Sequence, residues 1–443
     1  MTPTGHAPAS VGQEALWLID QFAGGSAQYT MLFAYRLRGQ LDVPALEQAL
    51  NQVIARHGAP RTTFVDVDGR PRQHVADELL VHLTPEPVPD QDEAVHHRLN
   101  QEAEHVFDLE RGPLFTAGLL QRTTHDHVLM MVAHHAIFDG HSVDLLMEEL
   151  EEFYTAHTRG RTPAVEPVAA HYTDFATAQH TWLQSPDSTA QLEFWRRTLQ
   201  GATPLAPPPG RPPAALTSIA GDAVEFEMNT DTGALAALLT EERATPFMFM
   251  LAIQHLALAR MSGQRDIVVA SPMANRNDMA LLKAMGYFVN IVGLRIDSHQ
   301  DRTFRSLLKR VRGVALDAYE NKDYPLAQLL ARLGSRREGR PTALFETMFT
   351  YENIPARAEV WPCGLQVEAI DTDEVVVKSD LSFSVVSATR GFQGAICFRT
   401  TLYDREYIET LAAQFTGLVH ETVRNPDAEL DDLLAKDLAP APH

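Results

Sequence analysis

Cysteine is nearly absent: two residues, Cys363 and Cys397, in a chain of 443. Two thiols cannot build a disulfide framework or a cysteine-rich zinc site, and such usage fits a reducing, cytoplasmic compartment. Positive charge is also scarce. Thirty-seven Lys and Arg stand against 58 Asp and Glu, a net charge of −21. A chain so anionic is a poor match for a nucleic-acid binder, because binding phosphates requires Lys and Arg. Adsorption to acidic lipid is disfavoured on the same ground. Long apolar runs are missing too: Val128–Ala133 and Pro246–Ile253 fall far short of the roughly 18 residues of a membrane span. The first residues, Met-Thr-Pro-Thr-Gly-His-Ala-Pro, have neither the basic nor the apolar region of a signal peptide.

What remains is material for a large soluble core, with 45% apolar residues. Helical and strand signals alternate along the chain. Asp42 precedes Val43-Pro44 as a helix N-cap, and Leu46, Leu50, Val53 and Ile54 recur at helical spacing. His57-Gly58 stops that helix, and Arg61 to Val65 reads as a strand entering an Asp68-Gly69 turn. Val128 to Ala133 reads as a buried strand, followed by a loop containing Gly140 and a helix from Val143 to Tyr154 with Ser142 as its N-cap. The proline-rich stretch at 201–214 is neither helix nor central strand; it reads as a linker or surface-wrapping segment near mid-chain. Pro246 to Met261 reads as a helix buried on all sides, Asp266 to Ala270 as a buried strand, and the acidic end from Pro426 as frayed.

The densest group of reactive side chains is His134-His135-Ala136-Ile137-Phe138-Asp139-Gly140. It lies where a buried strand gives way to a loop, so a rigid scaffold would carry it. Adjacent strand residues point to opposite faces, so one histidine alone can face a given cleft. An imidazole there can take a proton from an attacking amine or hydroxyl. Gly140 lets a substrate approach where a Cβ would block it. The bland alternative is a satisfied core histidine. His125, His127, His134, His135 and His141, with Asp139, also invite a metal reading, but their spacing matches no zinc pattern and neighbouring strand histidines diverge. No metal is assigned.

His134-His135-x-x-x-Asp139-Gly140 resembles the signature of nonribosomal peptide synthetase condensation domains, members of the chloramphenicol-acetyltransferase-like superfamily. Five further segments resemble that family's motifs in the same order. Ser10 to Trp17 is similar to SxAQxxLW, and Arg56-His57-Gly58-Ala59-Pro60-Arg61-Thr62 to RHxxLRT, with Pro60 where Leu is usual. Tyr172 to Ala176 resembles YxDYA, Gly286 to Asn290 resembles GxFVN, and Asn321 to Pro325 resembles NQDYP. One short motif is weak. Six in register over more than 300 residues are specific.

The resemblance implies an α/β fold of two acyltransferase-like lobes in a V-shaped pseudo-dimer with a central substrate tunnel. Carried onto the chain, residues 1–180 form the N-terminal lobe and 181–443 the C-terminal lobe, with the interlobe linker near 201–214. It implies amide or ester formation between a carrier-bound thioester donor and a nucleophilic acceptor. No cofactor is bound by the protein itself; substrates ride on the 4'-phosphopantetheine of donor and acceptor carrier proteins. Nucleic acid and membrane are not expected partners, and a monomer is expected. His135 becomes the active-site histidine and His134 its buried neighbour. Asp139 is expected in a salt bridge with Arg276, and Gly140 on the tunnel wall with its N–H available to an oxyanion. Heterocyclisation domains carry a paired-Asp motif that is absent here, the added motifs of epimerisation domains are not found, and oxygenase-recruiting relatives carry Arg where this chain has His135. His141 stands where Trp is frequent. With no adenylation or carrier segment attached, the chain reads as a free-standing enzyme or an excised domain, and the free-standing enzyme is expected. An acyl-CoA-dependent acyltransferase and a non-catalytic docking module are the alternatives.

The scarce positive charge is unevenly spread. Residues 302–340 hold ten cations against Asp317, Glu320, Asp323 and Glu338. A solvated helix face explains such a run; a carrier-protein landing surface, with Arg336 and Arg337 in it, is the sharper reading.

Overall fold

The computed structural model describes residues 6–206, 220–333, 345–352, 359–370, 377, 379–388 and 390–435. The chain forms two compact units, one of residues 1–187, 274–289 and 356–374, the other of 188–273, 290–355 and 375–443. Chain order alone would assign segments 274–289 and 356–374 to a C-terminal lobe; both pack with the first unit.

The first unit is built on a six-stranded sheet. Its order is Glu359–Val360, Gln366–Ile370, Thr30–Arg38, Asp126–His134, Phe115–Thr123 and Pro85–Pro87. All pairs are antiparallel except the last, which is parallel. Asp126–His134 is central, and every residue from His127 to His134 is buried, as a strand covered on both faces requires. Register pairs Thr30 with His134 and Phe115 with Ala133, so the end of this strand is flanked on both sides. The Val43–Arg56 helix starts where Asp42 accepts the Ala45 N–H at 3.0 Å. It buries Leu46, Leu50, Val53 and Ile54 completely and packs on the Gly140–Thr158 helix. A small antiparallel sheet of Ala7–Pro8, Arg70–Val75 and Thr62–Val67 completes the unit, with Asp68-Gly69 at its turn.

The second unit has its own six-stranded sheet: Val289–Asp297, Asp266–Ala274, Thr347–Glu352, Leu381–Ala388, Gly391–Arg399 and Gly221–Asn229. Thr347–Glu352 pairs parallel with both neighbours. The Pro246–Ser262 helix begins at the Thr245 cap and ends at Gly263, whose φ of 72° suits glycine. Every residue from Met248 to Ala259 is buried, because the helix packs against the helices Phe304–Glu320, Arg405–Arg424 and Leu430–Ala435 and the Thr347–Glu352 strand. Two polar residues inside it are handled locally. Gln254 donates to the Met348 carbonyl at 3.2 Å, and His255 Nε2 lies 2.9 Å from Ser298 Oγ. Burial pushes the His255 pKa down to about 3, so the ring is neutral.

Three sequence expectations change. Asp139, not Ser142, caps the Gly140–Thr158 helix, since its carboxylate reaches the Ser142 N–H first. The segment from Pro426 to Ala435 is more ordered than its composition suggests: Leu430–Ala435 is helical, with Leu430 and Leu433 fully buried. Of the proline-rich stretch, 207–214 lie outside the described residues. Leu205 and Ala206 before it are held to the second unit through Glu346 and Gln264.

Candidate active site

The histidine pair ends the central strand of the first unit. His135 N–H donates to the Tyr29 carbonyl at 2.8 Å, and the Ile137 N–H closes a turn onto His134. The two rings then part. His134 is 2% exposed, lies against Phe107 and Tyr29, and its Nδ1 accepts the Ala136 N–H at 3.1 Å. His135 is half-buried, and its Nδ1 lies 2.7 Å from the Phe138 carbonyl. A carbonyl oxygen only accepts, so Nδ1 carries a proton, and in the neutral ring Nε2 is the acceptor nitrogen. The neighbours are thus opposite tautomers. His134 presents its Nδ1 lone pair to the backbone, whereas the acceptor nitrogen of His135 is Nε2, on the far side of its ring from the turn.

Asp139 sits at the base of this turn. Its side chain is 1% exposed and accepts five hydrogen bonds: Ser142 N–H at 2.9 Å, Ser142 Oγ at 2.7 Å, two from Arg276 at 2.8 and 2.9 Å, and Phe288 N–H at 3.1 Å. Burial by itself would push this carboxyl up. The hydrogen bonds and charge of Arg276, with those of Ser142, outweigh it and hold the group below the usual carboxylate range. Arg276 is 4% exposed, lies 4.1 Å over the Phe288 ring, and also reaches the Ala284 carbonyl at 3.3 Å. Gly140 is exposed and open: a Cβ built on it would meet nothing within 4 Å. As the first residue of its helix, it contributes one of the amides that have no partner within the helix.

Other motif residues brace this centre. Ser10 caps the Val11–Ala23 helix in a capping box with Gln13, and Gln13 Nε2 donates to the Ala136 carbonyl inside the histidine turn at 3.0 Å. Tyr172 Oη donates to the Tyr287 carbonyl at 2.6 Å and lies 2.7 Å from Ser10 Oγ. Gly286 is forced by Tyr172: a Cβ there would fall 2.1 Å from its ring carbon Cδ2. Arg56 and His57 both bind buried Glu149, at 3.1 and 3.0 Å. Burial opposes ionisation of Glu149, but His57 and Arg56 prevail and lower its pKa. Within the second unit, Asn290 Nδ2 donates to the Lys322 and Tyr324 carbonyls at 2.6 and 2.8 Å. Gln13, Tyr172, Ser142 and Phe288 were not singled out as site residues from sequence. Their membership of motifs, or i+3 spacing from Asp139, is the signal that marks them.

His141 is exposed, with Nε2 2.8 Å from the Leu282 carbonyl. Among the described residues no group of three or more His, Cys, Asp or Glu could hold a metal ion, and no helix is long and apolar enough to cross a membrane. In the basic segment, Arg305 pairs with Asp427 and Glu242, and Arg310 pairs with Asp301. Arg336 and Arg337 lie outside the described residues.

The fold and this turn define an acyltransferase-like condensation architecture. The condensation-domain family profile matches residues 4–438, and the chain belongs to that family. It is 35% identical over 438 residues to a linear gramicidin synthase of Brevibacillus parabrevis, covering 97% of this chain and 6% of that protein. Bacitracin synthase 3 of Bacillus licheniformis is 33% identical over 437 residues, covering 96% and 6%. The chain therefore spans under a tenth of these relatives. Among solved structures, the X-domain from teicoplanin biosynthesis superposes with a TM-score of 0.87 at 25% identity, covering 98% of each chain. The first condensation domain of the calcium-dependent antibiotic synthetase has a TM-score of 0.81 at 18% identity, covering 97% and 98%, and shows the shared fold.

Two outcomes are expected from this electrostatic and steric arrangement. Folded Asp139 and Glu149 both ionise more readily than when unfolded, so they add stability that is complete above the ordinary carboxylate range. It is lost as pH falls below about 4 and through their folded values. Urea unfolding of the wild type should therefore show a steep acid loss, and Asp139→Asn with Glu149→Gln should flatten it; an unchanged acid slope would show that neither group carries it. Gly286→Ala should lower stability by about 1–3 kcal/mol, because the Tyr172 ring must move. Thermal melting no different from wild type would mean the site accommodates a Cβ freely.

Proposed function

We propose that the chain joins a carrier-bound acyl thioester to a nucleophilic acceptor, forming an amide or ester, with His135 as the group that serves the reacting atoms. The observation that carries this reading is the His135 Nδ1–Phe138 O hydrogen bond: with Nδ1–H committed there, the basic nitrogen of the neutral, half-buried ring is Nε2. An amine or hydroxyl attacks the thioester carbonyl, and Nε2 takes its proton as the carbon–nitrogen or carbon–oxygen bond forms. The oxyanion so created is met by the Gly140 N–H at the positive end of its helix. Collapse breaks the carbon–sulfur bond. The departing thiolate recovers the proton from the imidazolium, and the neutral ring is regenerated.

The substrates arrive on the phosphopantetheine of donor and acceptor carrier proteins, and the protein supplies no cofactor of its own. The same reading keeps the chain monomeric and in the cytoplasm. His134 supports the turn, and Asp139 with Arg276 holds its shape. A non-catalytic docking role is the second reading, favoured by the solved complex of the X-domain and OxyB; the tautomer that makes Nε2 of His135 a base argues against it. A landing surface for a carrier at Arg336 and Arg337 completes the proposal. In the same basic segment, Arg305 and Arg310 are already occupied by acidic partners, which leaves fewer positions in it to serve the carrier.

The test is intact-mass analysis of an acyl-loaded carrier mixed with the protein and candidate acceptors. Acyl transfer from the carrier but not from the CoA thioester is expected; equal use of both would assign the chain to CoA-dependent acyltransfer. His135→Ala should lose product by at least about a hundredfold with melting unchanged, within the range set by general base catalysis, and near-wild-type turnover would remove His135 from the reaction. Gly140→Val should block transfer while melting stays close to wild type, since its Cβ meets nothing. Normal condensation by that variant would place Gly140 off the reaction path. Arg336→Glu with Arg337→Glu should raise the Michaelis constant for carrier-bound substrate at low salt, where charges act over longer range; an unchanged constant for both carriers would discard the landing surface.

A further inference from the structure

We propose that Gly12 and Tyr287 are a size-matched pair that sets the tilt of the His135 imidazole, a positioning role that rests on His135 being the reacting group. The Tyr287 ring meets His135 edge to face, with centroids 5.0 Å apart and planes at 71°. The hydrogen bond to Phe138 O fixes one point of the imidazole, and the edge of the tyrosine ring packs against its face. Tyr287 is itself anchored through its backbone. Its carbonyl accepts from Tyr172 Oη at 2.6 Å, and the N–H of the next residue, Phe288, binds Asp139 at 3.1 Å.

The same ring also lies against Gly12. A Cβ on Gly12 would lie 2.9 Å from Tyr287 Cε1 and 3.2 Å from Cδ1, closer than carbon atoms approach without one of them moving. Gly12 lies in the Val11–Ala23 helix without a left-handed φ, so its own backbone does not require glycine. Glycine in a helix costs about 1 kcal/mol against alanine, and SxAQxxLW has Ala at this position. The missing methyl is explained by the ring it admits. Two residues in separate motifs thus compensate each other beside the reactive histidine.

A double-mutant cycle on the full chain tests this, with two readouts: steady-state acyl transfer from a loaded carrier, and the ring nitrogen-15 shifts of His135 at one fixed pH. A misplacement near the reacting atoms can cost up to about a hundredfold in rate. On that scale Tyr287→Ala should lower kcat at least about tenfold with KM within about twofold, and should move the His135 ring shifts. Gly12→Ala should do the same while Tyr287 is present but add no further loss to Tyr287→Ala. Tyr287→Phe, which keeps the ring, should retain wild-type values of both readouts. Melting temperatures that fall while kcat and the His135 shifts stay put would reduce the pair to packing and overturn the proposal. So would independent, additive losses from Gly12→Ala and Tyr287→Ala. A wild type that transfers no acyl group, yet whose His135 shifts follow this cycle, would sink the condensation reading and leave the pair standing.

Discussion

The contact on which the site depends is the buried ion pair between Asp139 and Arg276. A buried pair is weak evidence for net stability, because removing two charges from water costs about as much as their attraction returns. What this one does is geometric. A single carboxylate caps the Gly140–Thr158 helix, holds Ser142, and binds the amide of Phe288. Arg276 fills the remaining space by stacking on Phe288 and reaching Ala284. The histidine turn and the segment around Gly286 are far apart in sequence, and this carboxylate fastens one to the other. The cost of leaving either charge alone keeps the arrangement unique.

In the proposed reaction the ring that this turn presents is His135. The ring is held through Nδ1, so its basic nitrogen is Nε2, whereas His134 turns its basic nitrogen onto the backbone. Nor is it fully buried, as the neutral ring of His255 is. How strong a base the reaction needs depends on the acceptor. An α-amine with a pKa near 8 is already partly neutral at physiological pH, so alignment contributes more than proton removal. For a hydroxyl acceptor the proton acceptor matters more. In the proposed mechanism a neutral imidazole serves both demands, and the support around the ring then bears on function as much as the ring itself.

Much of this was legible in the sequence because the relevant signals are local or motif-bound. The capped helix after Asp42, the buried strand before His134, and the buried helix that holds Met248 to Ala259 followed from periodicity and breakers. The site residues followed from one seven-residue motif, five others in register, and the resemblance they carry. What escaped was long-range. Both Asp139 and Ser142 are good caps by type, and the choice between them is made by Arg276 and Phe288 arriving from elsewhere in the chain. Likewise the Arg276–Asp139 contact joins 274–289 to the histidine turn, a pairing that chain order does not reveal. The basic run after residue 302 looked like solvated charge, yet Arg305 and Arg310 find acidic partners far away or on the preceding turn. The ring that Gly12 faces comes from a distant motif and is not visible in the local sequence.

The central claim is that the Asp139–Arg276 pair acts as one unit holding the reactive turn. It is tested most directly by denaturant unfolding of the wild type, Asp139→Ala, Arg276→Ala and the double variant. Each single change should cost about 3–5 kcal/mol by stranding a buried charge. The double change should cost little more than the worse single one, so that the two are strongly coupled. Losses that simply add would show that the two charges do not depend on each other, and would contradict the account.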